Sequence, residues 1–167
     1  MQTTTAPTPH QAQEQQYEDT PVDVKFKLSA LWIAMLFVFA YVDIFALFRA
    51  DVLEGLLDGE VVGVGLPVNQ GFLIFTTLYI LPACLMVYFS LTLSPKLNRR
   101  VNLIAASLYA VTIALSCIGE TWMYYLIGSA VELFLLAIIA RTARSWPLAR
   151  NHNVVAAPIS AQAFSPV

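Results

Sequence analysis

The residues with chemistry to offer in this chain are two acids set inside long apolar stretches, Glu132 and Asp43. An ionisable side chain at bilayer depth costs about 2.5–3.5 kcal/mol on insertion scales, so a carboxylate kept there points to a ligand, an ion or a proton. Hydroxyls accompany both acids at helical spacing. Tyr125, Gly128, Ser129 and Glu132 share one face of one helix, and Asn102, Tyr109, Thr112 and Ser116 share one face of another. Counted along the helices, Thr76 and Thr77 lie near the depth of Asp43, and Tyr109 near that of Glu132. Pro82 interrupts a third apolar run and leaves the Leu78 carbonyl without its usual amide donor. A neutral Glu132, the form favoured by burial, or a tyrosine hydroxyl could donate to it. Glu132, Asp43, Tyr109, Thr112, Tyr125, Thr76, Thr77 and Pro82 therefore form the candidate ligand or proton site. The expected geometry is an outward-opening polar pocket, with Asp43 nearer the mouth and Glu132 at the floor. The two acids are offset by roughly 9 Å along the axis, too far for a direct hydrogen bond. A competing role for Glu132 is a helix cross-link, worth about 0.6–2 kcal/mol. For Asp43 it is contact with water or with nearby Arg49.

These groups need long helices to position them, and the composition supplies them. The 167 residues are 58% hydrophobic and 12% charged, about half the charge of an ordinary soluble domain. Mean hydropathy is +0.68. Crossing a bilayer takes about 20 apolar residues, and four runs qualify by inspection: 28–48, 71–93, 101–119 and 121–140. Backbone groups in lipid must be paired internally, which makes each run a helix. The expectation is an all-α, four-transmembrane-helix bundle occupying residues 25–146. Residues 1–24 and 147–167 are irregular and polar or proline-bearing, and read as disordered cytoplasmic tails.

The basic residues give the bundle an orientation. Lys25, Lys27, Lys96, Arg99, Arg100, Arg141, Arg144 and Arg150 fall on one side, and only Arg49 falls on the other. By the positive-inside rule both termini face the cytoplasm. So strong a bias disfavours a dual-topology exporter. Between the first two spans, Val52, Leu53, Leu56 and Leu57 alternate with Asp51, Glu54 and Asp58 at helical spacing. That pattern predicts a short amphipathic interfacial helix. Gly119 and Glu120 alone are expected to turn the third span into the fourth. Ser94-Pro95-Lys96-Leu97-Asn98 is expected to break the chain between the second and third, with Asn98 as N-cap. Asn98, Arg99, Arg100 and Asn102 could also touch a lipid headgroup at the inner surface.

Other chemistries find no motif. Cys84 and Cys117 lie at different depths and lack the spacing of a redox pair, and both histidines, His10 and His152, lie in the tails. No phosphate-binding loop, nucleophile elbow or zinc-protease signature occurs. No metal, no cofactor and no catalytic role are expected, and the net charge of −2 argues against a nucleic-acid partner.

Leu31-Trp32, Tyr41-Val42-Asp43-Ile44, Leu81-Pro82, Asn98-Arg99-Arg100-Val101-Asn102 and Tyr124-Tyr125 followed by Glu132 together resemble a family of small bacterial integral membrane proteins of unknown function. The resemblance covers residues 25 to about 146. It implies a four-helix protein of the bacterial cytoplasmic (inner) membrane and supplies no activity. Relatives often carry an acid two positions before the Leu81-Pro82 proline, where this chain has Ile80, so a mechanism needing a third membrane carboxylate is not expected. The functional expectation is small-molecule or lipid-like ligand binding, extending to proton-coupled transport, with Glu132 central. The alternative is a non-catalytic accessory subunit packed against a larger membrane complex. The expected partners are the lipid bilayer and either a second copy or a larger membrane protein.

Overall fold

A computed structural model describes residues 20–146. Of the expected tails, 1–24 and 147–167, residues 1–19 and 147–167 lie outside the described residues. Within them the elements run α1 (Val24–Ala46), α2 (Ala50–Leu57), β1 (Glu60–Val61), β2 (Leu66–Pro67), α3 (Gln70–Thr92), α4 (Pro95–Ser116) and α5 (Met123–Arg144). The four long helices share one core. α1 packs against α5 and α3, while α4 packs closely on α5 and only lightly on α3. The seam between α3 and α4 is thus the loosest side of the ring.

Local chemistry sets the helix ends. Asp23 caps α1, its carboxylate accepting from the Lys25 amide at 2.7 Å. Asn69 caps α3 by accepting from the Phe72 amide at 3.0 Å. α4 begins at Pro95 itself, behind Ser94 as N-cap. Proline is a favoured first helical residue because its missing N–H would be unpaired there anyway. The expected chain break is therefore a helix start. Lys96, Asn98, Arg99 and Arg100 belong to the opening turns of α4 rather than to a link, and Asn98 is not the cap.

Three helices are long and apolar enough to cross a membrane: α1, α3 and α5. α4 falls short of the other three, its first turns carrying Lys96, Arg99 and Arg100. The expected turn at 119–120 is also longer, with residues 117–122 separating α4 from α5. Gly119 makes the reversal in the left-handed region at φ 84°, where a Cβ is strained.

The short amphipathic helix is present as α2, with no fully buried residue. A two-residue hairpin that periodicity could not reveal follows it, pairing Glu60 with Pro67 and Val61 with Leu66. Large apolar side chains cover the outside of the long helices, among them Phe37, Phe75, Ile104, Leu108 and Phe134. The core is narrow, built from Leu28, Trp32, Met35, Ala83, Met86, Ala106, Ile113, Leu136 and Ile139. Gly128 brings α5 against α1, for a Cβ there would overlap the Val42 side chain.

Candidate functional site

On α5, Gly128, Ser129, Glu132, Leu136, Ile139 and Ala143 are buried at spacings of one, three, four, three and four. One helical face therefore points at the other helices, and Glu132 sits on it at 3% exposure. Its carboxyl borders a cavity of about 420 Å³ walled by all four long helices. α1 contributes Phe39, Val42 and Asp43, and α3 contributes Phe75, Thr76 and Tyr79. α4 adds Thr112, Ile113 and Ser116, and α5 adds Tyr125, Ser129 and Glu132.

Five of the eight predicted site residues meet here: Glu132, Asp43, Thr112, Tyr125 and Thr76. Thr77 faces a separate surface depression with Leu73 and Leu78. Pro82 and Tyr109 line a neighbouring apolar groove of about 500 Å³ between α3 and α4, with Ile104 and Leu108. Tyr79 and Thr112 stand in the wall common to both spaces.

All the hydroxyls lining the cavity except that of Ser129 are engaged in hydrogen bonds. Tyr125 donates to Ser116 at 2.8 Å, and Ser116 donates to the Ile113 carbonyl at 2.8 Å. Thr112 donates to the Tyr109 carbonyl at 3.0 Å and shares a 2.6 Å bond with the Tyr79 hydroxyl. Thr76 donates to the Leu73 carbonyl at 3.0 Å. Glu132 differs: its buried Oε1 has no hydrogen-bond partner among the described residues. Buried polar atoms are nearly always paired, which sets Glu132 apart from the hydrogen-bonded groups around it. The cavity lining contains no lysine, arginine or histidine.

The Leu78 carbonyl was expected to attract Glu132 or a tyrosine. Instead the Tyr109 hydroxyl donates to the Tyr79 carbonyl and accepts from the Ala83 amide at 3.2 Å. Those two groups would be direct partners in an uninterrupted helix. Tyr109 thus splices α4 into α3 beside Pro82, and Glu132 is left without that bond.

Arg49 does not meet Asp43. It pairs with Asp51 at 2.7 Å and with Glu120 at 3.2 Å, its guanidinium 4.7 Å from the Trp122 ring centre. The Arg49 hydrogen bond holds the Asp51 carboxyl below the usual range. The backbone amide of Trp122, with Arg49, does the same for Glu120. This clamp ties the α1–α2 corner to the α4–α5 turn at the cavity's end of the bundle.

At the opposite end, Asn98 and Asn102 are fully buried and do not reach the surface as lipid contacts. Asn102 accepts from the Trp32 indole at 2.8 Å and donates to the Asn98 side chain at 2.6 Å. Asn98 in turn donates to the Ser90 carbonyl at 2.6 Å. Arg99 and Arg100 remain exposed. Position in the helix decides the difference, since residues 98 and 102 share the inward face one turn apart.

Sequence reasoning missed Phe39, Phe75 and Tyr79. Each stands four residues from another lining residue, Phe39 from Asp43 and Phe75 from Tyr79, so helical spacing from the acid could have found the first. The Arg49–Trp122 stack had no signal within either segment alone.

The fold and cavity define a mostly helical protein, with three helices long and apolar enough to cross a membrane, around a partly polar interior. The chain belongs to a family of unknown function (DUF6326), whose model matches residues 19–156. No curated protein and no solved structure matches it.

Proposed function

We propose that this is a multi-pass protein of the bacterial inner membrane that binds a small-molecule or lipid-like ligand in the four-helix cavity, through Glu132. The observation that carries the reading is the buried Glu132 carboxyl, unpartnered at Oε1 and bordering a cavity of about 420 Å³. Ligand sites commonly occupy about 300–1,000 Å³ and favour the spaces between bundled helices. α4 completes the bundle as a fourth span, supported by its exposed Ile104, Leu108, Val111 and Leu115. The basic cluster at one end supports termini on the cytoplasmic side. Glu132, able to exchange a proton for a ligand, makes proton-coupled transport the natural extension of binding. No catalytic step is assigned.

The test is a thermal-shift screen of the purified protein in lipid nanodiscs, with Glu132→Gln in parallel, across lipids and small metabolites. A ligand at 100 times its Kd stabilises the fold by about 2.7 kcal/mol. A hit lost in Glu132→Gln supports the site, and silence across a broad panel overturns it. The accessory-subunit alternative draws on the apolar groove between α3 and α4, which could seat a partner helix. Under that reading a second protein co-purifies in mild detergent and is lost when Leu108→Trp fills the groove.

A further inference from the structure

We infer that the ligand of the Glu132 cavity is an organic ammonium ion with an apolar or aromatic body. This rests on the proposed binding site and specifies its chemistry. Two carboxylates, Asp43 and Glu132, reach the same cavity from α1 and α5. Neither has a hydrogen bond or ion pair among the described residues, and the lining offers no basic side chain. An anionic ligand would meet only like charge there. A neutral amphiphile would gain no more than a hydrogen bond from the two acids, whereas a cation pairs with them as they ionise.

The remaining wall selects among cations. Phe39, Phe75, Tyr79 and Tyr125 supply aromatic surface, and a ring face attracts a cation within about 6 Å of its centre. Phe39 and Tyr79 pack together with centroids 6.2 Å apart, forming one aromatic corner. A bare hard cation would need about six or more oxygen ligands. Among the described residues no three acids, histidines or cysteines cluster as a metal site would need. An alkylated ammonium needs no such shell. Its charge meets the carboxylates while its methyl and aryl groups meet the rings.

Benzyltrimethylammonium and its neutral isostere neopentylbenzene separate charge from shape. The full chain in nanodiscs is titrated with each, against empty nanodiscs. The cation should bind saturably, and the isostere at least tenfold more weakly. Glu132→Gln and Asp43→Asn should each weaken the cation at least tenfold, while circular dichroism and the thermal transition report intact folding. The comparison within the native protein keeps the test decisive if a variant fails to fold. Equal binding of the two probes, or no cation binding above empty discs, overturns the ammonium assignment. If the neutral probe alone binds and depends on Glu132, the site survives with a different ligand class. If no probe or lipid depends on Glu132, the site itself falls.

Discussion

Replacing Glu132 by methionine should make the empty protein more stable. Glu132 is 3% exposed, and Oε1 is buried with no donor among the described residues. A buried polar group left unpaired costs about 1–3 kcal/mol. Methionine has similar length, and its flexible thioether adapts to irregular space, so packing against α1 and α4 is retained. No hydrogen bond is lost, because Glu132 makes none among the described residues. The expected gain is therefore about 1–3 kcal/mol, accompanied by loss of ligand binding. Equilibrium unfolding in mixed micelles by a titrated denaturing detergent would read it, with protein washed free of ligand, since bound ligand stabilises the native form independently. Destabilisation by 1 kcal/mol or more would refute the reasoning. It would mean that the carboxyl cross-links helices in the bilayer, as the packing role requires.

Four further outcomes follow from the geometry. Gly128→Ala should loosen the α1–α5 contact by overpacking against Val42, at about 1–3 kcal/mol before any gain in helix propensity. Adding Val42→Ala should recover part of that loss, and strictly additive effects in a double-mutant cycle would refute the contact. Asn102→Leu strands the Trp32 indole N–H and the Asn98 side-chain oxygen and should cost about 1–3 kcal/mol in the same unfolding assay. Asp51 and Glu120 have depressed folded-state pKa values, so the stability they lend is present above about pH 4 and lost as pH falls further. The difference in unfolding midpoint between the native chain and Arg49→Gln should be flat near neutrality and vanish in acid; persistence at low pH counts against the clamp. In a background lacking Cys84 and Cys117, a cysteine at Glu54 should react with an impermeant reagent from outside cells, and one at Lys96 should not. Equal labelling would overturn the assigned orientation.

Much of this architecture was legible because hydropathy reports directly on helices that exclude water. The apolar runs gave α1, α3 and α5 to within a few residues, and the period of Val52, Leu53, Leu56 and Leu57 gave α2. Pro95 was misread as a break because proline stops and starts helices alike, and only its place in the first turn tells which. The depth count grouped Thr76, Thr112 and Tyr125 with Asp43, since rise per residue is fixed along a helix, and these four do line one cavity; it set Glu132 deeper, at the floor of the same pocket. It could not rotate neighbouring helices against one another. Thr77 therefore faces away, and Tyr109 serves α3 instead of the acid. Asn98 and Asn102 looked like surface groups beside two arginines, yet the inward face had already claimed them.

The buried chain from Trp32 through Asn102 and Asn98 to Ser90 joins α1, α3 and α4 far from the acids. Near the acids α3, α4 and α5 are held by a short tyrosine–serine–threonine set, and a half-buried arginine clip fastens the α1–α2 corner to the α4–α5 turn. The bundle is built like a clothes-peg, with the buried asparagine chain at one end and shallower ties at the jaws. A bulky guest entering between the carboxylates would spread the jaws about that fixed fulcrum. The arginine clip would be the first fastening to give.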